Sequence, residues 1–221
     1  MPERTEYDIP AVSAFADFMY GSLRFSEIAS DDLARATKGN AWQIDQNEAV
    51  INKDKDKDKV QGGHFLDAPF TYTVNELSIR TAKAMMRYAK AFAWLKGKEE
   101  VGLDDLKTML PYLLWHKLQP TEKAFVENTK YANDRIAFVQ DLVTKIESDY
   151  TEMQGSQAWK NYGAGMQGLR TGKAGEKTLN EDDMRRFVKN AVAKIGEIDK
   201  PWAIMLASHI ASEYNRRYNG K

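Results

Sequence analysis

The stretch Thr73–Leu118, TVNELSIRTAKAMMRYAKAFAWLKGKEEVGLDDLKTMLPYLLWHKL, constrains the fold more than any other part of the chain. It reads as a long helix, a glycine-punctuated turn and a second helix with an internal proline. Thr73 and Glu76 have the spacing of a capping box, in which each side chain meets a backbone N–H of the new helix. The first helix is predicted to run to about Lys96 and to stop at Gly97. Its apolar face is Leu77, Ala82, Met85, Ala89, Phe92 and Ala93. The opposite face carries Arg80, Lys83, Arg87 and Lys90, spaced three, four and three. The second helix begins near Leu103, with Asp104 and Asp105 complementing its dipole. Leu103, Leu106, Leu110, Leu113 and Lys117 form its stripe, and Pro111 is predicted to kink it.

Helical periodicity also dominates elsewhere. Ile9, Val12, Phe15, Ala16, Met19 and Leu23 recur at helical spacing. Ser30-Asp31-Asp32 signals a second start, leading to a short helix that ends near Lys38. Residues 41–68 differ. AWQIDQNEAVI and KVQGGHFL fit either two strands joined at the tip INKDKDKDK or an ordered loop with a solvated charged tip. Thr121 is read as opening a third long helix, with Ala132, Ile136, Val139, Val143, Ile146 and Tyr150 as a near-heptad stripe for a helix of this chain or of a partner. Residues 155–175 hold six of the 14 glycines and read as a loop or linker. Two more helices follow, one from Asn180 burying Met184, Val188, Ala191 and Ile195. The other starts at Asp199-Lys200-Pro201 and buries Trp202, Leu206, Ile210 and Tyr214. The expected fold class is mainly α, with one small β-hairpin at 41–68.

Composition excludes several classes of chemistry. The 221 residues contain no cysteine, so disulfides, thiolate zinc sites and cysteine nucleophiles are out. Lys plus Arg and Asp plus Glu are both 32, and zero net charge argues against bulk binding of nucleic acid or anionic lipid. No apolar run is long enough to span a bilayer and the N-terminus lacks a signal core, so the expected location is cytoplasmic. GAGMQGLRTGKAGEKT fails the P-loop spacing, since Gly172-Lys173 is followed by Ala174. Asp54, Asp56 and Asp58 resemble the start of a calcium loop, but Lys59 and Phe65 stand where Gly and Glu are needed. His64, His116 and His209 have no metal-ligand spacing. No catalytic constellation emerges. One residue has a physical claim to a ligand: a cation at the start of a helix opposes the dipole, and that cost vanishes when an anion sits there. Arg80 is such a cation.

Four pieces then combine. They are Leu77-Ser78-Ile79-Arg80; Ala91-Phe92-Ala93-Trp94-Leu95-Lys96-Gly97; Val101-Gly102-Leu103-Asp104-Asp105-Leu106; and Pro111 through His116-Lys117-Leu118. Together they resemble the lid subdomain of MoxR-type AAA+ ATPases, although that family usually has a Gly/Ala-Ser-Pro/Val-Arg run where this chain reads Leu-Ser-Ile-Arg. The resemblance implies that Arg80 is the sensor 2 arginine, reaching the γ-phosphate of ATP. It implies no cofactor held by this chain, with ATP and Mg belonging to the parent protein. Its P-loop, acidic Mg-binding strand, sensor 1 and arginine finger are missing here, so no ATPase activity is expected from the chain alone. Residues 1–68 become a linking segment, 69–121 the lid-like subdomain and 122–221 a C-terminal helical extension. Implied partners are the AAA+ core, neighbouring subunits of a homo-oligomeric ring and a client protein, with no nucleic acid and no membrane span. Lys83, Arg87 and Lys90 form an accompanying basic face. The alternative is a stand-alone helical adaptor that binds a partner helix along Ala132–Tyr150.

Overall fold

The structure, a computed structural model, describes residues 9–24, 43–45, 48–49, 68–75, 77–198 and 200–219. Among them are eight α-helices, so the mainly α expectation holds. The chain divides into two compact units: residues 1–27 with 67–150, and residues 28–66 with 151–221. The boundary expected at 121/122 falls inside the first.

In the first unit, α1 (Ile9–Arg24) buries Val12, Phe15, Ala16, Phe18, Met19 and Leu23. It packs on α2 (Ile79–Leu95) and α3 (Leu103–Leu114), which form an antiparallel hairpin. The α2 core positions are Thr81, Met85, Ala89 and Ala93, four apart, with Leu77 just before the helix. Ala82 and Phe92, expected in that face, are only half-buried. Burying side chains of the Leu and Met class contributes about 1.5–3 kcal/mol each. The turn after α2 is a Schellman motif: Lys98 N–H bonds to Ala93 O (3.0 Å) and Gly97 N–H to Trp94 O (2.9 Å). It requires positive φ at Gly97, which is +68°. Helix α3 continues through Pro111 and ends three residues later.

Two expectations are corrected here. The first helix starts at Ile79, not after Thr73. Glu76, the other half of that capping pair, lies outside the described residues. Thr73 instead forms an isolated bridge with Pro120, and its buried Oγ1 has no hydrogen-bond partner among the described residues. The long helix expected from Thr121 is three pieces. Thr121 caps the short α4 (Glu122–Glu127), a 3-10 turn spans Thr129–Ala132, and α5 runs Arg135–Gly155. Side-chain competition explains the breaks. Asn128, extended at φ −147° and ψ 102°, accepts from Lys130 N–H, and Asp134 accepts from Ala137 N–H at 2.9 Å. Val139, Val143, Ile146 and Tyr150 on α5 are buried within the chain, with Tyr150 against Phe15 and Phe18. That stripe is therefore already covered along most of its length.

In the second unit, α6 (Gln157–Thr171), α7 (Glu181–Gly196) and α8 (Pro201–Tyr214) pack on one another. The α7 and α8 faces are as expected: Met184, Val188, Ala191, Ile195, Trp202, Leu206, Ile210 and Tyr214 are all buried. Residues 155–175, expected as a loop or linker, are instead mostly α6. Ser156 caps it by accepting from Trp159 N–H at 3.1 Å. Two of its glycines, Gly165 and Gly168, serve close approach. A Cβ on Gly165 would sit 3.0 Å from Ile210 Cδ1, and one on Gly168 only 2.4 Å from Phe187 Cε1. A two-residue turn with Gly175 at φ +61° then joins β3 (Lys173–Ala174) to β4 (Lys177–Thr178). The P-loop-like Gly172-Lys173 is the left-handed end of α6 and the first residue of that hairpin.

A small hairpin lies within 41–68, but not the expected pairing of AWQIDQNEAVI with KVQGGHFL across the charged tip. Antiparallel strands β1 (Gln43–Asp45) and β2 (Glu48–Ala49) pair within the first expected strand, and β1 packs on α8. The charged tip, KVQGGHFL, Asp54, Asp56, Asp58 and the expected 31–38 helix lie outside the described residues.

Candidate functional site: the first turn of helix α2

The site is built from the base of the α2–α3 hairpin upward. Residues 71–75 lie antiparallel to 117–121. Thr121 N–H bonds to Tyr72 O (3.0 Å), Val74 N–H to Gln119 O (2.8 Å), and the Thr121 hydroxyl to Thr71 O (2.9 Å). Asn75 closes the pair with its side chain: Nδ2 donates to Lys117 O and Oδ1 accepts from Gln119 N–H. One amide thus replaces two backbone groups and fixes the chain three residues before the helix cap.

Ser78 is that cap. Its backbone is extended (φ −73°, ψ 154°), and its Oγ accepts from Thr81 N–H at 3.4 Å and lies 3.1 Å from Thr81 Oγ1. Arg80 is therefore the second residue of α2. No acidic residue occupies that first turn, and Arg80 is exposed without a carboxylate partner among the described residues. A cation so placed costs about 0.3–1 kcal/mol against the dipole. Lys83 and Arg87 are exposed and Lys90 half-buried along the same side of the helix. Each consecutive like-charged pair destabilises a helix by about 0.2–0.5 kcal/mol. The helix carries these costs without an acidic residue in its sequence, IRTAKAMMRYAKAFAWL.

The far end of the hairpin is fastened by Asp105, whose side chain is wholly buried. Its carboxylate accepts from Gly102 N–H (3.0 Å) and from Lys98 Nζ through both oxygens (2.8 and 2.9 Å), with Lys96 Nζ at 3.6 Å. Burial pushes this carboxyl up, but the Lys98 and Gly102 hydrogen bonds and the lysine charges outweigh it and hold it below the usual aspartate value. A depressed carboxyl stabilises the fold at neutral pH, and that contribution is lost as pH falls through and below the ordinary aspartate range. Asp105→Ala should cost about 1–2 kcal/mol, mostly from the orphaned Gly102 N–H, since the lysines rehydrate. Urea unfolding at pH 7 and in the acid range checks this: the gap between wild type and variant should narrow in acid. A constant gap would show that the charge contributes nothing.

With this geometry in place, the chain can be compared with known families. Residues 74–137 match the AAA lid domain family model. Neither the curated proteins nor the solved structures gave a match. The match covers less than a third of the chain and supports an AAA+ ATPase lid region, the part of such enzymes associated with an AAA+ core. It begins one residue after the Thr73 bridge position and extends into the first turn of α5. It therefore takes in the Asn75 clamp, the Ser78 cap, Arg80 and the Asp105 end of the hairpin. Among the described residues no helix is long and apolar enough to cross a membrane.

Sequence reasoning placed Arg80 at a helix start and missed what positions it. Asn75 acts on partners more than forty residues away, which no local pattern shows. Asp105 carried a local signal, being three residues after the Gly102 cap, but not its buried lysine contacts.

Proposed function

We propose that the chain is the lid and C-terminal region of a MoxR-like AAA+ ATPase, in which Arg80 senses the nucleotide. The observation that carries this is an exposed arginine, without a carboxylate partner among the described residues, at the second position of α2 inside the segment that matches the AAA lid domain. A guanidinium there fits a phosphate chemically. It offers a planar fork of donors to phosphate oxygens, and the helix start adds exposed N–H groups of the same polarity. Among the described residues no group of acidic or histidine side chains could hold a metal ion, and on this reading magnesium would be held by the core that binds the triphosphate. When bound, ATP supplies the phosphoryl group; Arg80 orients it and stabilises charge that develops on it. The extension after the lid contacts neighbouring subunits of a ring or a client protein.

The gene tests this directly. The coding sequence upstream of Met1 should continue in frame into a P-loop and an acidic Mg-binding strand. An in-frame stop immediately upstream, with no such core expressed alongside, would sink the proposal and leave a helical adaptor. Purified alone, the chain should show no ATP hydrolysis above background.

A further inference from the structure

We propose that the outward side of α2 is a docking site for an acidic, amphipathic segment of a partner protein. Two rows run side by side on this surface. One holds Lys83, Arg87 and Lys90, continued by Trp94. The other holds Ala84, Tyr88, Ala91 and Leu95, at helical spacings of four, three and four. Tyr88 is 50% exposed, Trp94 62% and Leu95 73%. Some cations elsewhere in the chain find internal carboxylates, as do Lys98 with Asp105, Lys107 with Glu147 and Lys200 with Glu152. Lys83 and Arg87 find none among the described residues, and α2 has no acidic residue of its own.

Charge complementarity selects the occupant. Lys83 and Arg87, exposed and without a carboxylate partner among the described residues, lie beside a row of exposed apolar groups, which fits a helix with carboxylates on one edge and aliphatic or aromatic residues on the next. Nucleic acid would answer the cations but leave Tyr88 and Leu95 wet, and the chain's zero net charge gives it no long-range attraction for phosphates. The proposal stands on the charge and exposure of α2 beyond its first turn, and its variants separate it from nucleotide sensing because they leave Arg80 in place.

The test uses the 221-residue chain. Fluorescence anisotropy compares a labelled peptide carrying Glu and Leu at helical spacing, a scrambled peptide of the same composition, and a short single-stranded DNA. The ordered peptide should bind about tenfold or more tightly than the scramble. Lys83→Glu with Arg87→Glu should weaken it by about tenfold or more. Tyr88→Ser with Leu95→Ser should also weaken it, while circular dichroism and melting stay unchanged because all four positions are exposed. Absence of peptide binding overturns the proposal, as does equal binding of the scramble. So does tighter binding of DNA with no effect of the Tyr88 and Leu95 substitutions. Arg80 is intact in every variant, so failure here leaves the nucleotide-sensing proposal untouched.

Discussion

Gly168→Ala is expected to destabilise the second unit by about 1–2 kcal/mol, while Gly163→Ala, five residues earlier on the same helix, should stabilise it by about 0.5–1 kcal/mol. Both changes bring the same gain in helix propensity. They differ in what the new methyl meets. At Gly163 nothing lies within 4 Å of a Cβ. At Gly168 three atoms of the Phe187 ring lie at 2.4, 3.1 and 3.2 Å, so the half-buried ring or the α6–α7 spacing must give. Overpacking of this kind typically costs about 1–3 kcal/mol, enough to reverse the propensity gain. Urea denaturation followed by circular dichroism reads both signs. A stabilised Gly168→Ala variant would mean that Phe187 swings aside freely and that the helices do not depend on the glycine.

In the proposed parent ATPase, Arg80→Ala should lower ATP turnover by about a hundred- to a thousandfold, the range for losing one preorganised donor to a charged transition state. In the isolated chain the same change should be neutral or slightly stabilising. It removes a cation that opposes the helix dipole by about 0.3–1 kcal/mol and installs the best helix former. These opposite directions are diagnostic, since a structural arginine would lose stability along with activity. Arg80→Lys keeps the charge but not the planar fork, so it should recover only part of the turnover. Unchanged turnover in Arg80→Ala would remove the residue from the site.

The two helices that close the chain, α7 and α8, were legible because one apolar face and one start signal agree in each. Asn180 caps α7 by accepting from Asp183 N–H, and Pro201 sits in the first turn of α8. Helix α6 was not legible. Glycine marks both flexible loops and tight helix contacts, and only the neighbouring Phe187 and Ile210 decide between them. The break between α4 and α5 was missed because the stripe runs on from Ala132 to Ile136 across Asp134, while the side chains of Asn128 and Asp134 capture local N–H groups. At the candidate site the sequence signalled a start at Thr73 with Glu76, and the cap at Ser78 was not read from it. Pairing of Thr73 with Pro120, forty-seven residues on, settles the start for Ser78. With the start at Ser78, Arg80 is the second residue of the helix.

The Asn75 clamp also has a mechanical meaning. The two strands at the base of the α2–α3 hairpin are antiparallel, and the Tyr72–Thr121 bond lies at their outer end. Tension applied to the chain on either side would load these contacts one after another. The two Thr121 bonds, to Thr71 O and Tyr72 O, would part first, then Val74–Gln119, and last the Asn75 side-chain bonds. The hairpin is therefore fastened like a zipper with a catch at its inner end. A pull would spend itself on the catch before any helix turn of α2 or α3 is strained.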